Sequence, residues 1–157
     1  MNKILVTGCS GFIGMHICEK LLQDGFLVFG IDNMNDYYNP ALKEDRLEKL
    51  LIYDNFSFEK IDISNYQKIS KVFKSFSPDK VVNLAAEAGG RDSLENPQEY
   101  VKSNIKGFLN ILEASRYNDV KGLIYASSSS VYGGNSKIPF EEGDRVDQPI
   151  SIYAASK

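Results

Sequence analysis

Short apolar runs alternate along the chain with longer segments in which apolar residues recur at helical spacing. The apolar runs lie at residues 3–7, 27–31, 56–61, 80–84 and 122–126. Continuous apolar runs bounded by turn residues are typical of strands that are buried on both faces of a parallel sheet. We therefore predict five parallel strands.

Segments with helical periodicity fill the intervals between these runs. The predicted helices span residues 12–24, 40–51, 64–76 and 96–116, with a last turn at 151–157 that Ser151 caps. Ser64 and Gln67 have the spacing of a capping box, and Asn96 precedes Pro97 as an N-cap residue would. Strands that alternate with helices predict an α/β fold, a Rossmann-type doubly wound parallel sheet.

A glycine-rich segment lies between the first strand and the first helix. Gly8 would allow the tight turn, Gly11 would let the backbone approach a pyrophosphate, and Gly14 would let the helix close on the sheet. Phe12 and Ile13 begin the helix, whose exposed amides and positive dipole end favour an anion. The alternative explanation of the three glycines is a turn with a close helix contact.

Acidic residues end two of the predicted strands. Asp32 closes the second strand, at the distance from the glycine segment that is typical of a ribose-binding acid. A carboxylate there accepts hydrogen bonds from the adenosine ribose and repels a 2′-phosphate. Asn33 and Met34 follow without an arginine that would favour that phosphate, so the cofactor predicted is NAD and not NADP. Asp62 follows the third strand and is placed to meet the adenine edge, or else simply leads into the next helix.

A tyrosine and a lysine near the end of the chain have catalytic spacing. Tyr153 and Lys157 are four positions apart, so that one helical face presents both. A nearby ammonium favours the phenolate, which makes tyrosine usable as a general base near neutral pH. The fifth strand leads into the serine run 127–130, which could orient a substrate hydroxyl. An exposed pair on a helix surface is the alternative.

Composition and charge exclude several classes of function. Hydrophobic residues make up 43% and charged residues 25% of the chain, and the formal net charge is −3. These values are ordinary for a globular protein and argue against binding to nucleic acid or to an anionic membrane. The two cysteines and the single histidine indicate neither a disulfide framework nor a metal site. The first residues are too short an apolar run for a signal peptide, so we expect a cytoplasmic protein.

Taken together, the motifs resemble those of the extended short-chain dehydrogenases/reductases, and within them the nucleotide-sugar 4-epimerases. The resemblance covers essentially the whole chain and is carried by residues 7–14, 83–86, 127–133 and 153–157. Residues 32–38, 93–97 and 107–113 further resemble the UDP-glucuronate 4-epimerase subgroup. The related 4,6-dehydratases have Thr-Asp-Glu where this chain has three serines, and an acid pair is needed there to eliminate water. The serines therefore favour epimerisation.

The resemblance implies a role for each matching residue. Tyr153 would be the catalytic base, Lys157 would bind the nicotinamide ribose and tune Tyr153, and Ser128 would be the catalytic serine. The residues assigned to a UDP-sugar substrate are Arg91, Ser128, Ser129 and Ser130. Those assigned to NAD, besides the residues already named, are Ile63, Leu84, Ala85, Ala86 and Asn104.

The activity implied is conversion of UDP-glucuronate to UDP-galacturonate in polysaccharide biosynthesis. NAD would take hydride from C4 of the sugar and return it to the other face of the 4-keto sugar. The chain departs from the subgroup at Glu87, where glutamine is expected, and at Gly90 and Asp92, where valine and tyrosine are expected. Another nucleotide sugar is therefore an alternative substrate, for an epimerase or a dehydratase.

Members of this group are longer than 157 residues. The resemblance implies that residues 1–157 are an NAD-binding Rossmann domain whose sheet is truncated after the fifth strand and the start of the next helix, without the C-terminal part that binds the sugar nucleotide. We expect this polypeptide alone to be inactive, because a short terminal helix is marginal in water and catalysis needs precise positioning. The alternative is a stand-alone NAD-binding or protein-interaction module. The group forms homodimers through the helices that start near Asn96 and Ser151, and the short second helix leaves that dimer in doubt here.

Overall fold

A five-stranded parallel sheet forms the centre of the molecule. The computed structural model describes residues 2–157, and its strands pair in the order β3-β2-β1-β4-β5. Every neighbouring pair is parallel, which confirms the predicted doubly wound sheet. The strands are β1 Lys3–Thr7, β2 Leu27–Asp32, β3 Phe56–Lys60, β4 Lys80–Asn83 and β5 Gly122–Tyr125.

Helices connect the strands and cover both faces of the sheet. They are α1 Phe12–Gln23, α2 Ala41–Leu51, α3 Tyr66–Phe76, α4 Asp92–Glu95, α5 Pro97–Tyr100, α6 Phe108–Tyr117 and α7 Ile152–Ala155. A π-helical segment, Val101–Gly107, joins α5 to α6, and a 3₁₀ turn, Ser129–Tyr132, follows β5. The single predicted helix over residues 96–116 is therefore a composite, and α4, the π-helical segment and the 3₁₀ turn were not predicted.

The start of α3 differs from its prediction. Asn65, not Ser64, is the N-cap residue, because its side-chain oxygen accepts a hydrogen bond from the Lys68 amide at 3.1 Å. The amide of Ser64 instead donates to Asp62 at 2.8 Å. The predicted capping box of Ser64 and Gln67 is wrong, since the tight turn that Asp62 makes after β3 delays the helix.

Two other predicted caps have different outcomes. Asn96 precedes α5 but makes no side-chain cap, since its Nδ2 donates to Asp92 Oδ1 at 3.1 Å. Its backbone amide donates to the Asp92 carbonyl at 2.9 Å and thereby closes α4. Ser151 caps α7 as predicted, with its hydroxyl oxygen accepting from the Ala154 amide at 3.0 Å.

The core has two halves, one on each face of the sheet, because side chains alternate along β1. Leu5 points to the face that α3 and α6 cover, while Ile4 and Val6 point to the face that α1 and α2 cover. Cys9 and Cys18 are buried free thiols in the second half, and burial raises the pKa of Cys18 to about 12. Both cysteines therefore act as small packing residues.

The strand order reverses at β1, where the chain first builds the sheet toward β3 and later returns to β4 on the other side. In an open α/β sheet a crevice forms at the carboxyl ends of the strands at such a point. Within residues 2–157, none of the helices combines the length and the hydropathy that crossing a bilayer requires.

Candidate functional site

A cavity of about 190 Å³ opens at the carboxyl ends of β1, β2, β3 and β4. It lies where the reversal of strand order predicts a ligand crevice. Most of the predicted cofactor residues lie around it: Gly8, Gly11, Asp32, Asn33, Asp62, Ile63, Leu84, Ala85 and Ala86. The structure thus brings together residues from four separate strand ends.

Glycine is required in the loop after β1 for steric reasons. Gly8 has φ of +69°, and a Cβ on it would lie 2.8 Å from the amide nitrogen of Ala85. A Cβ on Gly14 would lie 2.0 Å from the Gly8 carbonyl oxygen. The first contact brings the loop against the end of β4, and the second lets α1 start directly behind the loop.

The N-terminus of α1 carries free hydrogen-bond donors. Its N-cap residue is Gly11, which has no side chain to accept a bond, and the first turn contains no acid. Within residues 2–157 the amides of Phe12, Ile13 and Gly14 have no hydrogen-bond acceptor, whereas the next amide, of Met15, donates to Gly11. Unpaired amides at the positive end of a helix dipole favour an anion such as a pyrophosphate.

Asp32 lies at the end of β2 with its carboxylate almost completely buried. Oδ2 accepts from the Ser10 amide at 3.1 Å, and Oδ1 accepts from the Met34 amide at 2.9 Å. These bonds fix the carboxylate on the cavity wall, beside the glycine loop. Each oxygen can accept a further hydrogen bond, and the hydroxyls of the predicted adenosine ribose could donate it.

Lys43 is a cavity residue that sequence reasoning missed. Its Nζ lies 3.8 Å from Asp32 Oδ1 and donates to Asn35 Oδ1. The lysine comes from α2, which reads as a helix with a charged face. Its spacing from Leu47 and Leu50 could have revealed it, since these three positions share the stripe that faces the sheet.

Asp62 lies at the other side of the adenosine end. Its Oδ1 accepts from the Ser64 amide at 2.8 Å, and its Oδ2 lies 3.3 Å from Lys102 Nζ. Burial by itself would raise the pKa of Asp62, but the hydrogen bonds from Ser64 and Lys102 outweigh it and lower the pKa below the usual value. Asp62 is therefore held in the ionised form, as an acceptor at the cavity wall.

The π-helical segment packs directly on the floor of this end. A Cβ on Gly107 would lie 2.6 Å from Ile63 Cγ1, so the helix approaches Ile63 as closely as glycine permits. One turn further, Asn110 donates to the Ile63 carbonyl at 2.8 Å. The helix thereby fixes the position of a predicted cofactor residue.

Asn104 does not line the cavity, although it was predicted to contact the cofactor. Its Oδ1 accepts from the Glu87 amide at 2.8 Å, and its Nδ2 donates to the Glu87 carbonyl at 2.9 Å and to Ser156 Oγ at 3.0 Å. Asn104 therefore holds the loop after β4 and joins it to α7. Its contact with the cofactor stays a prediction.

Tyr153 and Lys157 come together on α7 and the residues after it, as their spacing predicts. Lys157 Nζ lies 5.9 Å from the centre of the Tyr153 ring. Burial lowers the pKa of Lys157. Tyr153 also packs edge-on against the buried ring of Tyr100, with 6.1 Å between ring centres, so the tyrosine is oriented from the side of α5.

The serine run reaches this pair only in part. Ser127 Oγ donates to the Lys157 carbonyl at 3.5 Å. Ser128 Oγ lies 3.2 Å from Ser130 Oγ and accepts from the Ser130 amide at 3.2 Å, so it caps the 3₁₀ turn. No hydrogen bond joins Ser128 to Tyr153 in the structure of residues 2–157. The exposed Ser129 belongs to the same turn.

Glu87, which departs from the epimerase pattern, bridges the cavity. Its Oε1 accepts from Asn35 Nδ2 at 3.0 Å, so it connects the loop after β4 to the loop after β2. Burial and then the nearby charge of Glu99 raise the pKa of Glu87. The carboxylate is thus paired within the protein.

The second added acid, Asp92, is also bonded within the protein. Asp92 Oδ2 accepts from the Tyr100 hydroxyl at 3.0 Å, and its Oδ1 accepts from Asn96. Arg91 is exposed and, among residues 2–157, has no carboxylate within ion-pair distance.

The fold and this cavity together define a dinucleotide-binding Rossmann domain that carries a Tyr-x-x-x-Lys pair. The model of the NAD dependent epimerase/dehydratase family matches residues 4–157, and the chain belongs to this family. Among residues 2–157 no cluster of three or more His, Cys, Asp or Glu side chains could hold a metal ion.

Relatives within the family include nucleotide-sugar epimerases. The chain is 55% identical to Protein CapI of Staphylococcus aureus, covering 99% of this chain and 46% of that protein. It is 50% identical to the UDP-glucuronate 4-epimerase of Thermodesulfobacterium geofontis, covering 100% of this chain and 48% of that protein. The crystal structure of UDP-glucuronic acid 4-epimerase from Bacillus cereus in complex with UDP-glucuronic acid and NAD matches with a TM-score of 0.87 and 36% identity, over 99% of this chain and 48% of that one. The chain spans about half the length of these relatives.

Proposed function

We propose that the chain is the NAD-binding N-terminal half of a UDP-sugar 4-epimerase, with UDP-glucuronate as its substrate. The observation that carries this proposal is the uncapped N-terminus of α1 beside the buried carboxylate of Asp32, along one cavity at the switch point of the sheet. An anion site next to a ribose acceptor matches the two polar parts of an adenine dinucleotide.

The residues around the cavity fit NAD. The amides of Phe12, Ile13 and Gly14 would hold the pyrophosphate, Asp32 the adenosine ribose and Asp62 the adenine edge. When bound, NAD would supply reversible removal of hydride from C4 of the sugar. Ile63, Leu84, Ala85 and Ala86 would provide the apolar walls.

Transfer of the proton from the sugar hydroxyl is assigned to Tyr153, assisted by Lys157 and Ser128. Tyr153 would take the proton of the sugar 4-hydroxyl, and the ammonium of Lys157 would favour the phenolate. Ser128 is proposed to orient the same hydroxyl, since capping the 3₁₀ turn uses one lone pair of its oxygen and leaves its O–H free to turn to a ligand. Asn104 positions the helix that carries the tyrosine, through Ser156.

The choice of UDP-glucuronate is supported by the relatives of that activity and by the loop after β4. Arg91 is exposed and free of carboxylate partners within residues 2–157, so it can receive the sugar carboxylate or a phosphate, together with Ser129 and Ser130. Glu87 and Asp92 are turned to partners within the protein. A different UDP-sugar remains the competing assignment, and turnover assays with UDP-glucuronate and UDP-glucose distinguish the two.

The cofactor assignment is tested by calorimetry. We expect the unmodified protein to bind NAD more tightly than NADP. The Asp32→Ala substitution should reduce the difference between the two affinities. Asp36→Ala, which removes an exposed carboxylate in the same loop, serves as the matched control and should leave the difference unchanged. Equal affinities of the unmodified protein for NAD and NADP would refute the role of Asp32.

We further propose that residues 1–157 alone do not catalyse epimerisation. Helix α7, which presents Tyr153, is a single turn at Ile152–Ala155, and so short a helix is marginal in water. Conversion of UDP-glucuronate to UDP-galacturonate is measured with the purified 157-residue polypeptide, and detectable turnover would contradict this proposal.

The proposal includes self-association and a cytoplasmic location. Val101, Ile105, Leu109 and Leu112 are exposed along one side of the helix that starts at Pro97, and a contiguous apolar surface of this kind marks an interface. A homodimer formed through this helix accounts for the exposure.

The two buried free thiols are compatible with a reducing cytoplasm.

A further inference from the structure

Helix α2 directs two positive side chains to the end of β2, where Asp32 lies. The Lys43 side chain is only 7% exposed, and its Nζ lies 3.8 Å from Asp32 Oδ1. Arg46 Nη1 donates to the Tyr38 hydroxyl at 2.9 Å and to the Ser10 carbonyl at 3.5 Å. Both cations lie outside the segment that directly follows Asp32, on the next helix.

Ser10 connects Asp32 to Arg46. The Ser10 amide donates to Asp32 Oδ2 at 3.1 Å, and the Ser10 carbonyl accepts from Arg46. The carboxylate and the guanidinium therefore lie on either side of one residue of the glycine loop. Lys43 and Arg46 therefore both reach the end of β2, where the adenosine ribose is proposed to bind.

The two cations differ in how they are neutralised. Among residues 2–157, Asp32 is the carboxylate within 4.0 Å of Lys43, and Arg46 has no carboxylate within that distance. The Arg46 guanidinium instead lies 5.7 Å from the centre of the Tyr38 ring and 5.8 Å from that of Phe12. Its charge is thus available to a ligand, whereas Lys43 lies beside the carboxylate of Asp32 and also interacts electrostatically with Glu87.

We infer that Lys43 and Arg46 form a site for the 2′-phosphate of NADP that the carboxylate of Asp32 blocks. The inference rests on the proposed binding of a dinucleotide in this cavity. Asp32 acts in two ways, because it repels the phosphate and also engages Lys43 and the Ser10 and Met34 amides. Removing the carboxylate frees all three groups as donors.

Lys43 and Arg46 are expected to make strong hydrogen bonds to a phosphate. Hydrogen bonds from a charged donor to a phosphate are about twice as strong as neutral ones, and the planar fork of arginine matches two phosphate oxygens. Removing the carboxylate of Asp32 should therefore raise the affinity for NADP as well as weaken the binding of NAD.

The test is calorimetric titration of Asp32→Ser with NAD and with NADP. We expect the affinity for NADP to rise at least about tenfold, which is about 1.4 kcal/mol, while the affinity for NAD falls. Asp32→Asn, which keeps the size of the side chain, is measured in parallel in case the serine variant folds poorly. An unchanged affinity for NADP in folded variants would overturn the inference.

Variants of α2 show whether the two cations are responsible. In the Asp32→Ser background, Lys43→Met combined with Arg46→Met should abolish the gain in NADP affinity. Lys49→Met removes an exposed lysine of the same helix and should preserve it. A gain that survives the loss of both cations would contradict the inference, even with the proposed function intact. Failure of the unmodified protein to bind NAD would instead overturn the proposed function, and the inference with it.

Discussion

The carboxylate of Glu87 lies half-buried at the cavity and bonds to Asn35 across it. Burial and the charges of Glu99 and Asp92 raise its pKa, and Lys43 and Lys102 oppose them only in part. Ionised Glu87 is therefore less favourable in the folded protein than in the unfolded chain. The residue bears on both the stability of the protein and the geometry of the site.

Replacing Glu87 by glutamine should change the pH dependence of stability. An acid whose pKa is raised by folding binds protons more readily when folded, so its contribution to stability declines as the pH rises above its ordinary value of 4.5. Glu87→Gln keeps an acceptor for Asn35 and cannot ionise. Urea denaturation should show the variant gaining stability over the parent between pH 4.5 and neutral pH.

The exposed acid Glu95 provides the control for this measurement. Glu95→Gln removes one carboxylate from α4 without a burial effect, so its stability relative to the parent should stay constant over the same range. If the free energy of unfolding of Glu87→Gln does not rise relative to the parent as the pH increases, ionisation of Glu87 does not destabilise the folded protein.

The elements that frame the cavity are fixed at their ends by single side chains. Asn65 caps α3, Ser151 caps α7, and Thr7 joins β1 to β4. Each of these contacts satisfies backbone amides that would otherwise lack a partner within the protein. The stability of these elements can therefore be tested one side chain at a time.

The cap of α3 should contribute about 1 kcal/mol. Asn65→Ala removes the acceptor of the Lys68 amide and should lower the free energy of unfolding by about that amount. Asn65→Asp retains an acceptor at the same position and should restore most of it. Equal stabilities of the alanine and aspartate variants in chemical denaturation would show that the cap is not needed.

The hydroxyl of Thr7 is the hydrogen-bonding centre of the β1–β4 junction. It donates to Asn83 Oδ1 at 2.7 Å and accepts from the amides of Leu84 at 3.1 Å and Ala85 at 3.0 Å. Thr7→Val keeps the shape but removes the partner of Asn83 Oδ1 and of the Ala85 amide, while the Leu84 amide keeps its bond to the Thr7 carbonyl. The substitution should cost about 2–3 kcal/mol. Thr7→Ser should cost much less in the same denaturation experiment, because it keeps the hydroxyl.

At the scale of the whole molecule, helices cover both faces of the sheet, but the outer surfaces of these helices differ in how much apolar surface they expose. Exposed apolar side chains follow the helix from Val101 to Leu112, and Ile124 on the edge strand β5 is 67% exposed. On α2 and directly after it the exposed large aliphatic residues are Leu42, Leu51 and Ile52, which lie among charged residues. This asymmetry points to the α6 side as the surface that meets a second molecule.

Self-association should depend on this side of the molecule. Leu109→Glu is expected to shift the protein toward the monomer in sedimentation velocity, because it places a charge in the apolar surface. Leu51→Glu is the matched control, since Leu51 on α2 is 56% exposed and Leu109 is 54% exposed. Equal effects of the two substitutions, or none from either, would argue against an interface on α6.

The sequence by itself determined the sheet, the glycine loop and the Tyr-x-x-x-Lys pair. These features depend on local patterns: buried strands are continuous apolar runs, Gly8 needs a positive φ, and Tyr153 and Lys157 meet within one helical turn. Their geometry is set by residues close together in the chain. The predicted strands accordingly agree with the structure to within a residue at their ends.

Only the tertiary structure decided which side chains from distant segments meet at the cavity. Lys43 reaches Asp32 because α2 packs beside β2, and Asn104 binds the Glu87 backbone because the π-helical segment lies behind that loop. Asp92 turns to Tyr100 because a short helix forms there. Such contacts depend on how whole elements pack, since the residues that meet are far apart along the chain and no local periodicity relates them.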